Sequence, residues 1–147
     1  MLINGVLFNS EAWHGLTATH VTRLENVDHQ LLRVITSSHA KVAVEFLYLE
    51  TGSIPLQFVI KSRRLNYFKN IMDKNENELV KKIDETQKKN PLKCDWTELL
   101  KMDFKTIDEE INEDVVKATP RTEFKKNVKD KIYKAALKHL KSLQENH

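Results

Sequence analysis

Four cations fall within nine positions at Lys61, Arg63, Arg64 and Lys69, interleaved with Tyr67 and Phe68. Basic groups reach phosphate oxygens and aromatic rings stack on bases, so this spacing suits a single strand or a template–primer junction. The same residues equally suit the solvated edge of a buried helix. A second set, Lys125, Lys126, Lys129, Lys134, Lys138 and Lys141, decorates the C-terminal segment, with Lys134, Lys138 and Lys141 along one line of a helix. Lysines on such a line favour sequence-independent attraction to a nucleic-acid backbone over base reading, which draws on Arg and Asn. Their plain alternative is again a solvated face.

Other chemistries find less support. His14, His20, His29 and His39 are separated by 6, 9 and 10 residues, without the i, i+4 pair of a helical zinc site, so no metal is expected. Asp108, Glu109, Glu110, Glu113 and Asp114 offer oxygen ligands but lack the glycine and alternating spacing of a calcium loop. Near a helix start they serve the dipole instead. There is no Gly-x-Ser-x-Gly elbow, and Cys94 sits beside Lys93 and Asp95 without a local base. Gly5, Gly15 and Gly52 are isolated, which leaves no phosphate-cradling loop. Neither a catalytic residue nor a cofactor is expected. Glu45 and Glu50, flanking Phe46 to Leu49, read as caps or as partners of Arg63 or Arg64. Trp13 and Trp96 read as core or interface anchors.

The elements that must position these groups are helical by composition. The chain has 147 residues, 40% hydrophobic and 31% charged, with Gly 3, Pro 3 and Cys 1. That length suits one hydrophobic core. Three glycines and three prolines cannot supply the turns of a barrel or sandwich, and one cysteine excludes an internal disulfide framework and a cysteine-rich zinc cage. No apolar run reaches the roughly 18 residues of a membrane span, and no basic region precedes the apolar N-terminus. A soluble, reduced, intracellular protein is expected, with nucleus or cytoplasm left open. The net charge of +3 is unevenly spread: residues 1–72 balance at +2, residues 73–118 at −4 and residues 119–147 at +5.

Periodicity then places the helices. Leu2, Ile3, Val6 and Trp13 share a face of an opening helix that ends near Gly15. Thr17 or Thr19 caps a second helix, with a stripe at Val21, Leu24, Val27, Leu31, Leu32 and Ile35. Residues 41–50 fit a short helix, although Val42, Val44, Phe46 and Tyr48 also fit a strand. Ser53 to Pro55 opens a helix whose apolar residues, from Leu56 to Met72, cover most of its circumference, as a central core helix requires. Leu79, Val80 and Ile83 mark a charged helix ending before Asn90 and Pro91. Asp95 caps Trp96, Leu99, Leu100 and Phe104. Ile107, Ile111 and Val115 form a stripe on an acidic helix. Thr119 and Pro120 open the last helix, with Phe124, Val128, Ile132, Ala135, Ala136, His139, Leu140 and Leu143 on one face.

Four ordered motifs in the first 72 residues carry a family resemblance. Leu2 to Leu16, with Ser10-Glu11-Ala12-Trp13, is similar to the segment downstream of the polymerase core in non-LTR retrotransposon reverse transcriptases. Leu24-Glu25 leading to Leu31-Leu32-Arg33, then Glu45-Phe46-Leu47-Tyr48-Leu49-Glu50 with Gly52 and Pro55, then Arg63-Arg64-Leu65-Asn66-Tyr67, resemble the stretches that follow there. The resemblance implies the thumb and linker region, which contacts the template–primer backbone. It does not carry over DNA synthesis, because the Ala-Asp-Asp motif of the palm is absent. The Cys-Cys-His-Cys zinc knuckle and nuclease of many relatives are absent too, so this reads as a truncated or remnant reading frame or a fragment of one, with Met1 an internal methionine or a misassigned start.

The expectation is thus an all-α, irregular bundle of six or seven helices, with an apolar region 1–72 and a charged extension 73–147. It is non-catalytic and binds RNA or DNA backbone weakly through Lys61, Arg63, Arg64, Lys69, Lys134, Lys138 and Lys141. No membrane partner is expected, and the missing polymerase domains of a parent protein are possible partners. The rival expectation is a helical interaction module without nucleic acid.

Overall fold

The computed structural model describes residues 7–13, 16–39, 41–90, 92 and 95–146. Among them the architecture is an all-α bundle, as expected. A 3-10 turn (Ser10–Ala12) precedes seven helices: α1 (Ala18–Ile35), α2 (Val44–Thr51), α3 (Leu56–Met72), α4 (Leu79–Lys89), α5 (Trp96–Thr106), α6 (Glu113–Ala118) and α7 (Arg121–Glu145). The expected opening helix falls mostly on Leu2, Ile3 and Val6, outside the described residues. At Ser10–Ala12 the 3-10 turn stands in its place, entered through Asn9 at φ 56°.

Helix α3 is central, contacting α1, α4, α5, α6, α7 and the 3-10 turn. Phe58, Leu65, Phe68, Ile71 and Met72 of α3 share one core with Trp96, Leu100 and Phe104 of α5, Val116 of α6 and Phe124, Val128, Ile132 and Ala136 of α7. That core draws on both sides of residue 72. Phe68 and Phe104 meet edge to face at 5.8 Å, the arrangement the ring quadrupoles favour. Buried positions on α7 recur every fourth residue from Phe124 to Leu140. Each such step overshoots a full turn by about 40°, so the buried line winds around the helix. Its end, Leu140, meets a second cluster with Leu32, Leu47 and Tyr48 of α1 and α2.

The sequence stripe on α1 needs correction. Thr17 is the cap, accepting from the His20 amide, but Val27 and Ile35 are exposed while Asp28 is buried. The helix is turned toward Asp28 because its carboxylate accepts the Tyr48 hydroxyl at 2.7 Å. Burial, and then that hydrogen bond, push the Tyr48 phenol well above its ordinary pKa. Beside it, burial lowers the His29 imidazole. Burial also raises the Glu25 carboxyl, although it accepts the Gln57 amide in the first turn of α3.

Residues 44–51 resolve as helix, not strand. Leu47 and Tyr48 are adjacent and both buried while Phe46 is exposed, which breaks the alternation a strand needs. Gly52 closes the helix at φ 68°, where a Cβ would be strained. The α4 pattern is inverted: Lys81 and Asp84 are buried, whereas Leu79 and Ile83 are exposed. Charges dock it. Lys88 reaches Asp84 at 2.7 Å, pairs with Glu113 of α6 and lies over the Phe68 ring. Burial pulls the Lys88 ammonium down, but those two carboxylates outweigh it and hold its pKa above the usual value.

The single acidic helix expected through Ile107, Ile111 and Val115 is broken. Asp95 caps α5 as expected, accepting the Glu98 amide at 2.8 Å. The helix then stops in a Schellman-type end: Asp108 takes φ 55°, and the Glu109 amide donates to the Phe104 carbonyl at 2.9 Å. Asn112 caps α6 by accepting the Val115 amide, and Val116 faces the core in place of Val115. Pro120 occupies the cap position of α7, while the Thr119 hydroxyl turns back to the Val115 carbonyl.

Candidate nucleic-acid interface

The two sets of cations picked out by spacing have different surroundings. On α3, Arg64 is buried and forks onto Asp103 of α5, with Nε on Oδ2 and Nη2 on Oδ1 at 2.9 Å. Its Nη1 is buried without a hydrogen-bond partner among the described residues. Burial raises the Asp103 carboxyl, partly offset by the Arg64 hydrogen bond and charge. Lys61 donates to the Thr106 hydroxyl at 3.0 Å and stands 3.8 Å from Asp103. Burial lowers its ammonium against the pull of Asp103. Arg63 donates to the Leu7 carbonyl at 2.8 Å.

Lys69 is as buried as Arg64. Its ammonium donates to Asp73 at 2.7 Å and to the Val116 and Lys117 carbonyls at 2.7 and 3.3 Å. Those carbonyls belong to the last turn of α6, where the helix itself offers no donors. Asp73 in turn accepts Arg121 of α7 at 2.9 Å. Burial pushes the Asp73 carboxyl up, but the hydrogen bonds and charges of Lys69 and Arg121 together hold it below the ordinary value. Of the aromatic residues expected to stack on bases, Phe68 is fully buried, and half-buried Tyr67 packs edge-on against Trp96 at 6.1 Å. Arg64 and Lys69 therefore hold helices together and present no cationic surface. Arg64 takes Asp103 as its partner, so the expected Glu45 pairing does not describe it.

The α7 lysines face outward. Lys134, Lys138 and Lys141 are all exposed. Lys134 and Lys138 line a groove of about 600 Å³ together with Lys131, His139 and Ser142 of the same helix. Across it lie Thr106, Ile107 and Asp108 at the end of α5, with Phe58 of α3 between. Lys141 lies outside that lining, one turn beyond Lys138. Lys61, bound to Thr106, lines a separate cleft with Arg64, Met102 and Asp103. Lys131 pairs with Glu109. Lys131, Ser142 and Thr106 were not singled out from sequence, and His139 and Leu143, expected on the apolar face of the last helix, are exposed because the buried line follows every fourth residue only. The spacing of Lys131, Lys134 and Lys138, steps of three and four, was the available signal for the first of them.

Among the described residues, no three His, Cys, Asp or Glu side chains converge as a metal site would require. The acidic stretch is used within the fold: Asn112 caps α6, Glu109 holds Lys131 and Glu113 holds Lys88. No helix among the described residues is long and apolar enough to cross a membrane. In comparisons with known proteins, no family model, no curated protein and no solved structure matches this chain.

Proposed function

We propose that this chain is a non-catalytic helical module that binds RNA or DNA backbone weakly and without sequence preference, a thumb-and-linker relative of non-LTR reverse transcriptases. The observation that carries the binding reading is the exposed lysine line of α7 along the groove. From Lys134 to Lys141 the exposed line runs about 10 Å along the helix. Lysines in such a line attract phosphates as point charges and read no bases.

The ordered motifs support the family reading in a particular way. Asp28 and Glu25, from the second motif, accept from Tyr48 of the third and from the Gln57 amide at the start of α3. Trp13 of the first packs near Leu56 and Ile60. The shared pattern thus falls on contacts that assemble α1, α2 and α3. The test is fluorescence anisotropy of a labelled primer–template across about 50 to 200 mM salt. Affinity that falls steeply with salt is expected, and no affinity at low salt overturns the reading.

A helical interaction module is the second reading, favoured by Val27, Val34, Ile35 and Phe46, which α1 and α2 leave exposed. Concentration-dependent self-association abolished in V34D/I35D would support it. A monomer unchanged by those substitutions counts against self-association.

A further inference from the structure

The groove beside α7 holds more than lysines. His139 is exposed at its side, and its ring lies 5.7 Å from that of buried Phe58, tilted by 55°. Phe58 is fixed in the main core, so it braces the imidazole from below while leaving the ring accessible. Lys138 immediately precedes it on the same helix and Lys134 lies about one turn before Lys138, with the Ser142 and Thr106 hydroxyls also on the groove. A cationic track beside a braced ring is the combination that holds unpaired nucleotides: phosphates follow the charges and a base lies on the ring.

We infer that the groove takes single-stranded nucleic acid, with one unpaired base stacked on His139 and the phosphates to one side of it on Lys138 and Lys134. This rests on the backbone-binding reading and adds the substrate class. The size of the space argues for it. A groove of about 600 Å³ is on the scale of small-molecule sites, about 300–1,000 Å³. A base inside a duplex is stacked on both faces, so one resting on His139 must be unpaired. Asp108 on the opposite wall disfavours a second phosphate row, which again fits one strand better than two.

The test compares a labelled oligothymidylate with an abasic oligomer of the same length and charge, by anisotropy at one low salt concentration. Wild type should bind the thymidylate about tenfold more tightly. H139A should bring the two to equal affinity, leaving abasic binding and its salt slope intact, and H139F should restore the preference. His139 is exposed, so both variants should keep the wild-type helical circular dichroism. Equal affinity for both oligomers in wild type overturns the stacking inference while leaving backbone binding standing. Absence of binding to either overturns both.

Discussion

Helices α3 and α7 each carry a cluster of cations that reads the same in sequence, yet the fold spends one cluster internally and displays the other. The cause is the density of apolar residues around each helix. On α3, apolar side chains cover most of the circumference, so six neighbouring elements pack against it and the intervening cations go inside with them. A buried charge is tolerated only with partners and hydrogen bonds, and Asp103, Asp73 and the α6 carbonyls provide these. On α7, five of 25 residues are buried, which leaves Lys134, Lys138 and Lys141 in solvent. A basic residue within a nearly all-apolar helix is thus a candidate clamp, and one opposite a narrow stripe is a candidate contact.

The largest effect should follow from breaking the α3 clamp. R64M leaves the fully buried Asp103 without its fork and should cost about 3–5 kcal/mol in urea unfolding. Adding D103L in the same chain should recover most of that loss, because a well-packed apolar pair replaces a desolvated ionic one. A surface role for Arg64 would instead leave R64M within about 0.5 kcal/mol of wild type. K69M comes next, at about 2 kcal/mol, since it strips the donors from two α6 carbonyls and from Asp73. Hydrogen exchange should show the loss first in α6.

A smaller effect is expected at Asp73, which ties α3 to α7 through Lys69 and Arg121. D73N should lose about 1 kcal/mol near neutral pH. Because the folded carboxyl titrates below its ordinary value of 3.8, its stabilisation is complete above that value and is lost as pH falls through the lowered one. The gap between D73N and wild type should therefore hold from about pH 7 to about pH 5 and close in stronger acid. A gap that widens on acidification contradicts the assignment. Smallest of all, K134Q/K138Q/K141Q should shift stability by less than about 0.5 kcal/mol.

Much of the fold could be read from residue spacing, and the failures share a cause. The central position of α3, the Asp95 cap and the α7 stripe followed from apolar density and cap chemistry, both local properties. On α1 and α4 the apolar pattern misled because tertiary partners override it: Asp28 turns inward for Tyr48, and Lys88 docks α4 through Asp84 and Glu113. The break at Asp108 was hidden because a non-glycine residue takes the left-handed position there. At the candidate site, Lys134 and Lys138 could be placed by spacing. The groove could not, since Thr106 and Phe58 reach it from helices distant in sequence.

The division between the two clusters is tested most directly by the salt dependence of primer–template binding in K134Q/K138Q/K141Q. Each lysine that neutralises a phosphate contributes about 0.9 to the slope of log affinity against log salt. If the α7 face makes the contacts, the triple variant should lose about two to three units of slope with its unfolding midpoint unchanged. Binding with the full wild-type slope would place the contacts elsewhere and contradict the account.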